Sequence, residues 1–447
     1  MADAAGGYLR VAGSVFHPDY KPQPYWWEAW KPADEQPTEV PAETRVAIIG
    51  GGYAGLATAL ELAKLGVECV VLEATAPGEG ASSRNGGGVS GGVNIGKSIT
   101  GSTLDAESPR AHAMLSDGSD AFGVIEALIE SEGIECHWRR SGRFVGAWTP
   151  THFANQAKKI DRLNESAQSG AYMLPRERLR EEMASDFYYG GMVVERSGQL
   201  HPALYVKGLL DRVRARGVPV CGYAPAGRIT GEPGAWRIET GRGEVRAAEV
   251  VIATNGYTGD LTPKLKRRLI PAASHIIATE ELPEDLAASL IPKGRTLADT
   301  RRILSYYRMS PDGRRVIYGG RARFTNAGPE VCAPILHRFM TDRFPQLKGT
   351  RITHAWSGNV AFTLDALPHA GRMDGMHYLM GCNGSGVAMM TYLGTQTARR
   401  IAGVANRPSA FEEGEFPEHA LYNGNPWFLP IIGSWYQVRD RFERMMA

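Results

Sequence analysis

The run Gly50-Gly-Gly52-Tyr-Ala-Gly55 constrains this chain more than any other feature. It gives a GxGxxG spacing between Arg45-Val-Ala-Ile-Ile49, a short apolar run rich in β-branched residues, and Tyr53 to Leu65, whose apolar residues recur at helical spacing. Glu68-Cys-Val-Val-Leu72 reads as a second buried strand. Strand, glycine turn, helix and strand make a βαβ unit whose right-handed crossover leaves the two strands parallel. Gly50 permits the tight turn, Gly52 lets the backbone approach a pyrophosphate at the helix N-terminus, and Gly55 lets the helix pack on the strand. Glu73 closes the second strand, placed to accept hydrogen bonds from the hydroxyls of an adenosine ribose, and an acid there disfavours a 2′-phosphate.

FAD and NAD share this pattern, and two further clusters among the chain's 53 glycines separate them. Gly78-Glu-Gly-Ala-Ser-Ser-Arg-Asn-Gly-Gly-Gly88 is unsuited to a packed core but suited to a backbone that tracks an extended ligand past its first phosphate. Met380-Gly-Cys-Asn-Gly-Ser-Gly-Val387 stands just ahead of a predicted helix, so a second helix N-terminus offers its amides to an electron-rich ring edge. NAD needs neither cluster; a flavin uses both.

The predicted fold class is α/β: a doubly wound, Rossmann-like FAD-binding domain with an inserted antiparallel-sheet α+β substrate domain. Residues 1–44 read as an arm without strand or helix periodicity, whose tryptophans need burial. Residues 45–112, 196–262 and 345–410 are assigned to the FAD-binding domain, 113–195 and 263–344 to the substrate domain, and 411–447 to a tail. Helices are predicted over 108–134, 151–168, 202–216 and 387–401. Strands are predicted over 189–196, 218–221, 236–239, 245–253, 275–280, 305–309 and 315–320. A net charge of +2 gives no electrostatic case for nucleic acid or an anionic membrane. Five widely spaced cysteines without a CxxC pair suggest neither a metal site nor a disulfide framework. With no secretion signal and no run of about 18 apolar residues, a soluble, cytoplasmic protein is expected.

The landmarks taken together resemble the D-amino-acid oxidase superfamily of FAD-dependent amine oxidoreductases and, within it, γ-glutamylputrescine oxidase-like proteins. They are Trp26-Trp27, the glycine fingerprint with Glu73-Ala74, Gly80 to Gly87, Leu200-His-Pro-Ala203, Ile277-Ala-Thr-Glu280, Tyr306-Tyr-Arg308, Phe344-Pro-Gln-Leu347, Ala355-Trp-Ser-Gly358 and Gly381 to Gly386. The resemblance implies oxidation of a C–N bond to an imine that water hydrolyses, with electrons usually passing to oxygen to give hydrogen peroxide. It also implies that Gly50, Gly52, Tyr53, Ala54, Glu73, Ala74, Ser83, Arg84, Asn85, Gly86, Gly87 and Ala226 contact FAD, and that Asn383, Gly384, Ser385, Gly386 and Val387 close over its ring. Val360 stands where relatives acting on simple α-amino acids carry a carboxylate-binding arginine, and Ser385 where many have histidine. Covalent attachment has no matching cysteine or histidine, so non-covalent FAD is expected.

Hydride transfer from a neutral amine needs placement over the ring rather than a protein base, so no catalytic side chain is assigned. His201, His275 and His354 fall near predicted pocket strands or turns but read as solvent-exposed or hydrogen-bonded core residues. Alternation puts Tyr306 and Arg308 on one strand face, where Arg308 either binds a substrate carboxylate or forms an ion pair at the domain seam. Trp356 either walls the pocket or packs the core. Cys382 reads as small packing, and the aromatics at 426–430 and 435–436 as packing for the arm. The expected partners are a small amine or amino acid and molecular oxygen. The alternatives are an oxidase of a cyclic or N-methyl amino acid such as pipecolate or sarcosine, or a flavin dehydrogenase subunit with another electron acceptor.

Overall fold

A computed structural model describes residues 14–33, 37–90, 105, 107–324, 327–405, 407–412 and 414–447; the arm's first thirteen residues lie outside this set. Two sheets organise the chain. In the first, Met376–Met380, Gly243–Ile252, Glu43–Ile49, Cys69–Leu72 and Val220–Cys221 run parallel side by side. These strands are apolar on both faces, as a sheet covered on both sides requires. Val46, Ile48, Val71 and Val251 meet the helices Tyr53–Lys64, Pro109–Ser131, Pro202–Ala215 and Gly386–Ile401. Ala47, Ile49, Val70, Leu72, Val250 and Ile252 face a second core with Trp236, Ile238 and Val245. That far layer is a β-ribbon built from Ala226–Thr230, Trp236–Thr240 and the start of Gly243–Ile252.

The second sheet has nine strands in the order Phe16–Lys21, Ile352–Phe362, Ile270–Thr279, Val316–Gly320, Ser305–Met309, Thr296–Asp299, Arg143–Gly146, Gly191–Val194 and Ala171–Leu174. Neighbours are antiparallel except at two joints, 16–21 with 352–362 and 143–146 with 296–299.

Several boundaries differ from the sequence reading. The arm contains an edge strand, hidden because Phe16-His-Pro-Asp-Tyr-Lys21 carries a proline and no alternation; proline is tolerated at an edge, where no ladder donor is needed. The helix predicted over 151–168 is two, Pro150–Ala157 and Ile160–Ala167. Pro109–Ser131, mostly assigned to the substrate domain, buries Met114, Phe122, Ile125 and Ile129 in the core of the first sheet. Ile352–Phe362, assigned to the FAD domain, pairs along its length with Ile270–Thr279 in the second sheet. The tail, expected to pack on the arm, contains a helix, Leu429–Met445, held at the second sheet by Asp440, which accepts from the Arg302 and Ile303 amides at 3.2 and 3.1 Å. Among the described residues no helix is long and apolar enough to cross a membrane.

Candidate dinucleotide and substrate site

The first turn is built by contact with the neighbouring strand end. Gly50 has φ +113°, and a Cβ there would lie 2.9 Å from the Ala253 carbonyl oxygen. A Cβ at Gly55 would fall 1.9 Å from the Gly50 carbonyl oxygen, so only glycine lets the helix start this close to the strand. Glu73 is already engaged: Oε2 accepts from the Gly51 amide at 2.7 Å and Oε1 from the Thr75 amide at 3.0 Å. A carboxylate has about four acceptor sites, which leaves capacity for ribose hydroxyls.

The second loop is fixed by donors from distant parts of the chain. Trp356 Nε1 donates to the Arg84 carbonyl at 2.7 Å and Trp26 Nε1 to the Asn85 carbonyl at 2.8 Å. Arg308 Nη1 donates to the carbonyls of Gly86 at 3.4 Å, Gly87 at 3.3 Å and Leu200 at 2.8 Å. From within, Asn85 Nδ2 donates to the carbonyls of Ala81 and Ser82 and to the Tyr53 hydroxyl. The buried arm tryptophan and the second sheet thus set the shape of a loop that belongs to the first.

The third cluster is pinned to the end of the strand Ile352–Phe362. The Asn383 amide donates to the Ala361 carbonyl at 3.0 Å, and its Oδ1 accepts from the Thr363 amide at 3.1 Å. Asn383 has φ +47°, and the helix Gly386–Ile401 starts three residues on.

All three segments border one cavity of about 1410 Å³. Gly50, Gly52, Tyr53, Ala54, Glu73, Ala74, Arg84, Asn85, Gly86, Gly87, Ala226 and Asn383 to Val387 line it. Two helix N-termini, at Gly52 and Ser385, open onto it without a side-chain cap from either residue, which favours negative charge there. Single small-molecule pockets run to about 1,000 Å³, so this volume fits a dinucleotide together with a substrate. Ser83 departs from the sequence reading. It is fully buried and its Oγ accepts from Trp27 Nε1 at 3.1 Å. Its neighbour Ser82 lines the cavity and accepts from the Tyr53 amide at 3.0 Å. Two adjacent serines in a short 3₁₀ turn point opposite ways, which sequence alone does not resolve.

On the other wall, alternate residues of Ile270–Thr279 face the cavity: Ile270, Ala272, Ser274 and Ile276. The Tyr306 ring lies over Gly319, where a Cβ would approach it to 2.3 Å, and its hydroxyl sits 2.9 Å from Ser274 Oγ. Burial pushes this phenol up to about 12, so it stays protonated. Arg308 borders the cavity and forms no ion pair among the described residues. Its Nε and Nη1 donate to backbone carbonyls, and burial pushes its guanidinium down to about 9, still charged at neutral pH. Trp356 does not border the cavity; it packs with Trp26, Ile276 and Ile317. Residues missed from sequence are Tyr257, Asn359, Arg321 and, from the C-terminal helix, Ile432 and Tyr436. Arg321 directly follows a predicted strand, the one available signal.

The three histidines singled out from the sequence are held by neighbouring groups. His201 Nδ1 accepts from the Leu204 amide as a helix cap, and burial pushes its ring down to about 3. His275 bonds the Ala327 carbonyl, and His354 bonds Glu28.

Residues 45–400 match the model of the family described as FAD dependent oxidoreductase. The chain is 32% identical over 402 residues to gamma-glutamylputrescine oxidoreductase of Escherichia coli, spanning 89% of this chain and 92% of that protein. It is 31% identical to a probable oxidoreductase, OrdL, of Haemophilus influenzae, over 85% of this chain and 87% of the relative. Among solved structures, glycine oxidase from Geobacillus kaustophilus superposes with a TM-score of 0.68 at 19% identity, covering 85% of this chain and 99% of that one. L-proline dehydrogenase from P. horikoshii superposes with a TM-score of 0.69 at 18% identity, covering 82% and 96%. A chain whose three glycine segments and two helix N-termini line one cavity, and whose sequence matches that family model from 45 to 400, belongs to the FAD-dependent oxidoreductases of the D-amino-acid oxidase type.

Proposed function

We propose that this oxidoreductase acts on a small amine or amino acid at its C–N bond, with FAD held non-covalently and oxygen as electron acceptor. The observation that carries the reading is the single cavity in which the glycine loops of the first sheet meet the inner face of the second. FAD, when bound, supplies the acceptor for the hydride leaving the carbon next to nitrogen.

The chain's own residues do the rest. Gly50 to Ala54, with Glu73, Ala74 and Ala226, are positioned for the adenosine and pyrophosphate; Arg84 to Gly87 and Asn383 to Val387 would flank the ring. The N-terminus of Gly386–Ile401 favours negative charge developing nearby. Ile270, Ala272, Tyr306 and Phe362 make an apolar wall against which a neutral amine is oriented and bulk water displaced. His152, which borders the cavity, is held by Thr300, its Nδ1 2.7 Å from Oγ1, and an amine that enters deprotonated needs no base from it. Water then hydrolyses the imine product to a carbonyl compound and an amine or ammonia.

The substrate closest to this reading resembles γ-glutamylputrescine, the compound in the name of the E. coli relative, or another N-substituted amine. Anaerobic mixing of the yellow holoprotein with γ-glutamylputrescine, sarcosine, pipecolate and glycine tests it. Bleaching by one of these amines, followed on aeration by one peroxide per turnover, is expected. Bleaching that is reversed by a quinone or dye but not by oxygen would replace the oxidase with a dehydrogenase, and no bleaching by any amine would remove the reading. Acid precipitation should release all of the flavin.

A further inference from the structure

With Nε and Nη1 of Arg308 donating to backbone carbonyls, Arg321 stands out as a cavity cation held between rings without a counter-charge. Arg321 follows the strand Val316–Gly320 and borders the cavity half-buried. Its guanidinium carbon lies 4.4 Å from the ring centroid of Phe362 and 5.4 Å from that of Phe324. Ring faces hold the guanidinium plane but accept none of its N–H bonds strongly. Among the described residues no carboxylate pairs with it and no carbonyl accepts from it. The phenols of Tyr306 and Tyr436 face it, and burial keeps that of Tyr306 protonated. Of the other cavity arginines, Arg301 is paired with Asp299, Arg302 with Asp440 and Glu443, and Arg84 with Glu79, while Arg143 shares with Arg321 the lack of a carboxylate partner among the described residues and has no ring stacked on it there.

A half-desolvated guanidinium with free donors between two rings is built for a planar anion that takes two N–H bonds at once. We infer that Arg321 binds a carboxylate carried by the substrate at a position separate from the carbon that is oxidised, making the substrates carboxylate-bearing amines. The inference rests on the amine-oxidising reading and names its substrate class. The wall around Arg321 explains the selectivity: an uncharged tail leaves the buried cation unpaired, and a cationic tail is repelled. Burial lowers the guanidinium's proton affinity, which a bound carboxylate would restore.

The test uses holoenzyme and two amines that share a putrescine amide, γ-glutamylputrescine with a carboxylate and N-butyrylputrescine without. Anaerobic stopped-flow gives the apparent Kd and limiting rate of flavin reduction for each. Arg321→Met is expected to raise the Kd for γ-glutamylputrescine about 100-fold with a much smaller change for N-butyrylputrescine, and Arg321→Lys to recover part of the loss. Equal losses for both amines, no loss for either, or the same selective loss in Arg143→Met instead, where Arg143 is a second arginine on the cavity wall, would overturn the assignment. If the wild type is reduced by neither amine, benzoate is titrated against the visible spectrum of the bound FAD. A perturbation lost in Arg321→Met retains the anion site and discards the amine reading, whereas one that survives, or none at all, overturns the site.

Discussion

Trp26, Trp356 and Arg308 share one task at the scale of single residues: each donates to a carbonyl of the 84–87 loop. Removing one donor leaves a buried carbonyl unpaired, which costs about 1–3 kcal/mol. Trp356→Phe keeps the ring and loses the donor, so the Kd for FAD should rise about tenfold while the rate with saturating FAD stays near wild type; equilibrium dialysis and turnover at excess FAD measure the two, and an unchanged Kd would show the loop holds itself. His201 makes a second prediction. Its ring is pushed down to about 3 by burial, so the unfolded chain binds the extra proton between that value and 6.5, and stability falls as pH drops through this window. His201→Asn keeps a cap acceptor without the titration and should gain on the order of 3 kcal/mol relative to wild type at pH 4 compared with pH 7. Parallel urea curves at both pH values would show no such gain if the ring were solvated. Residue roles were the least legible part of the sequence. Gly50, Glu73 and Asn383 fall on the cavity because spacing dictates backbone position, but Ser83 and Ser82 differ only in side-chain direction, and the partners that Arg308 and Arg321 meet are set by distant segments.

Whole elements were read better where local pattern and packing agree. The βαβ unit carries its own strand, turn and helix signals, and the chain follows it. Elements stabilised mainly by partners far along the chain were missed, including the edge strand 16–21 and the strands 143–146 and 171–174, each six residues or fewer. The glycine turn gives the sharpest prediction at this scale. Gly55→Ala puts a methyl 1.9 Å from a backbone oxygen and should cost about 3 kcal/mol or more, with loss of FAD from the purified protein. Gly384 has φ +93° but open space around it, so Gly384→Ala should cost about 1–2 kcal/mol and still fold. Thermal melts with FAD quantitation compare them, and equal stability of the two variants would contradict the packing argument.

For the whole molecule, the two sheets are joined by exchange: the first contributes the glycine loops, the second the side chains that hold one of them. The C-terminal helix completes the arrangement by laying Leu429, Ile432 and Tyr436 along the cavity. Its anchor, Asp440, lies only 5% exposed, and Trp148 Nε1 donates to its carbonyl at 2.9 Å. Asp440→Ala should free this helix, raising KM for the amine several-fold while FAD content is unchanged; loss of FAD with KM unchanged would place the helix on the wrong side of the cavity. Such a closing role is invisible in sequence, where aromatic residues near a chain end read only as packing. The central claim is that one cavity holds FAD with its adenosine at Glu73 and Ala226 and its ring between Asn383–Val387 and Tyr306. A crystal structure of the FAD-loaded protein tests this directly. The account predicts ring density there with an open volume beside Tyr306 and Arg321, and density with the ring at Glu73, or with its face sealed from that volume, would contradict it.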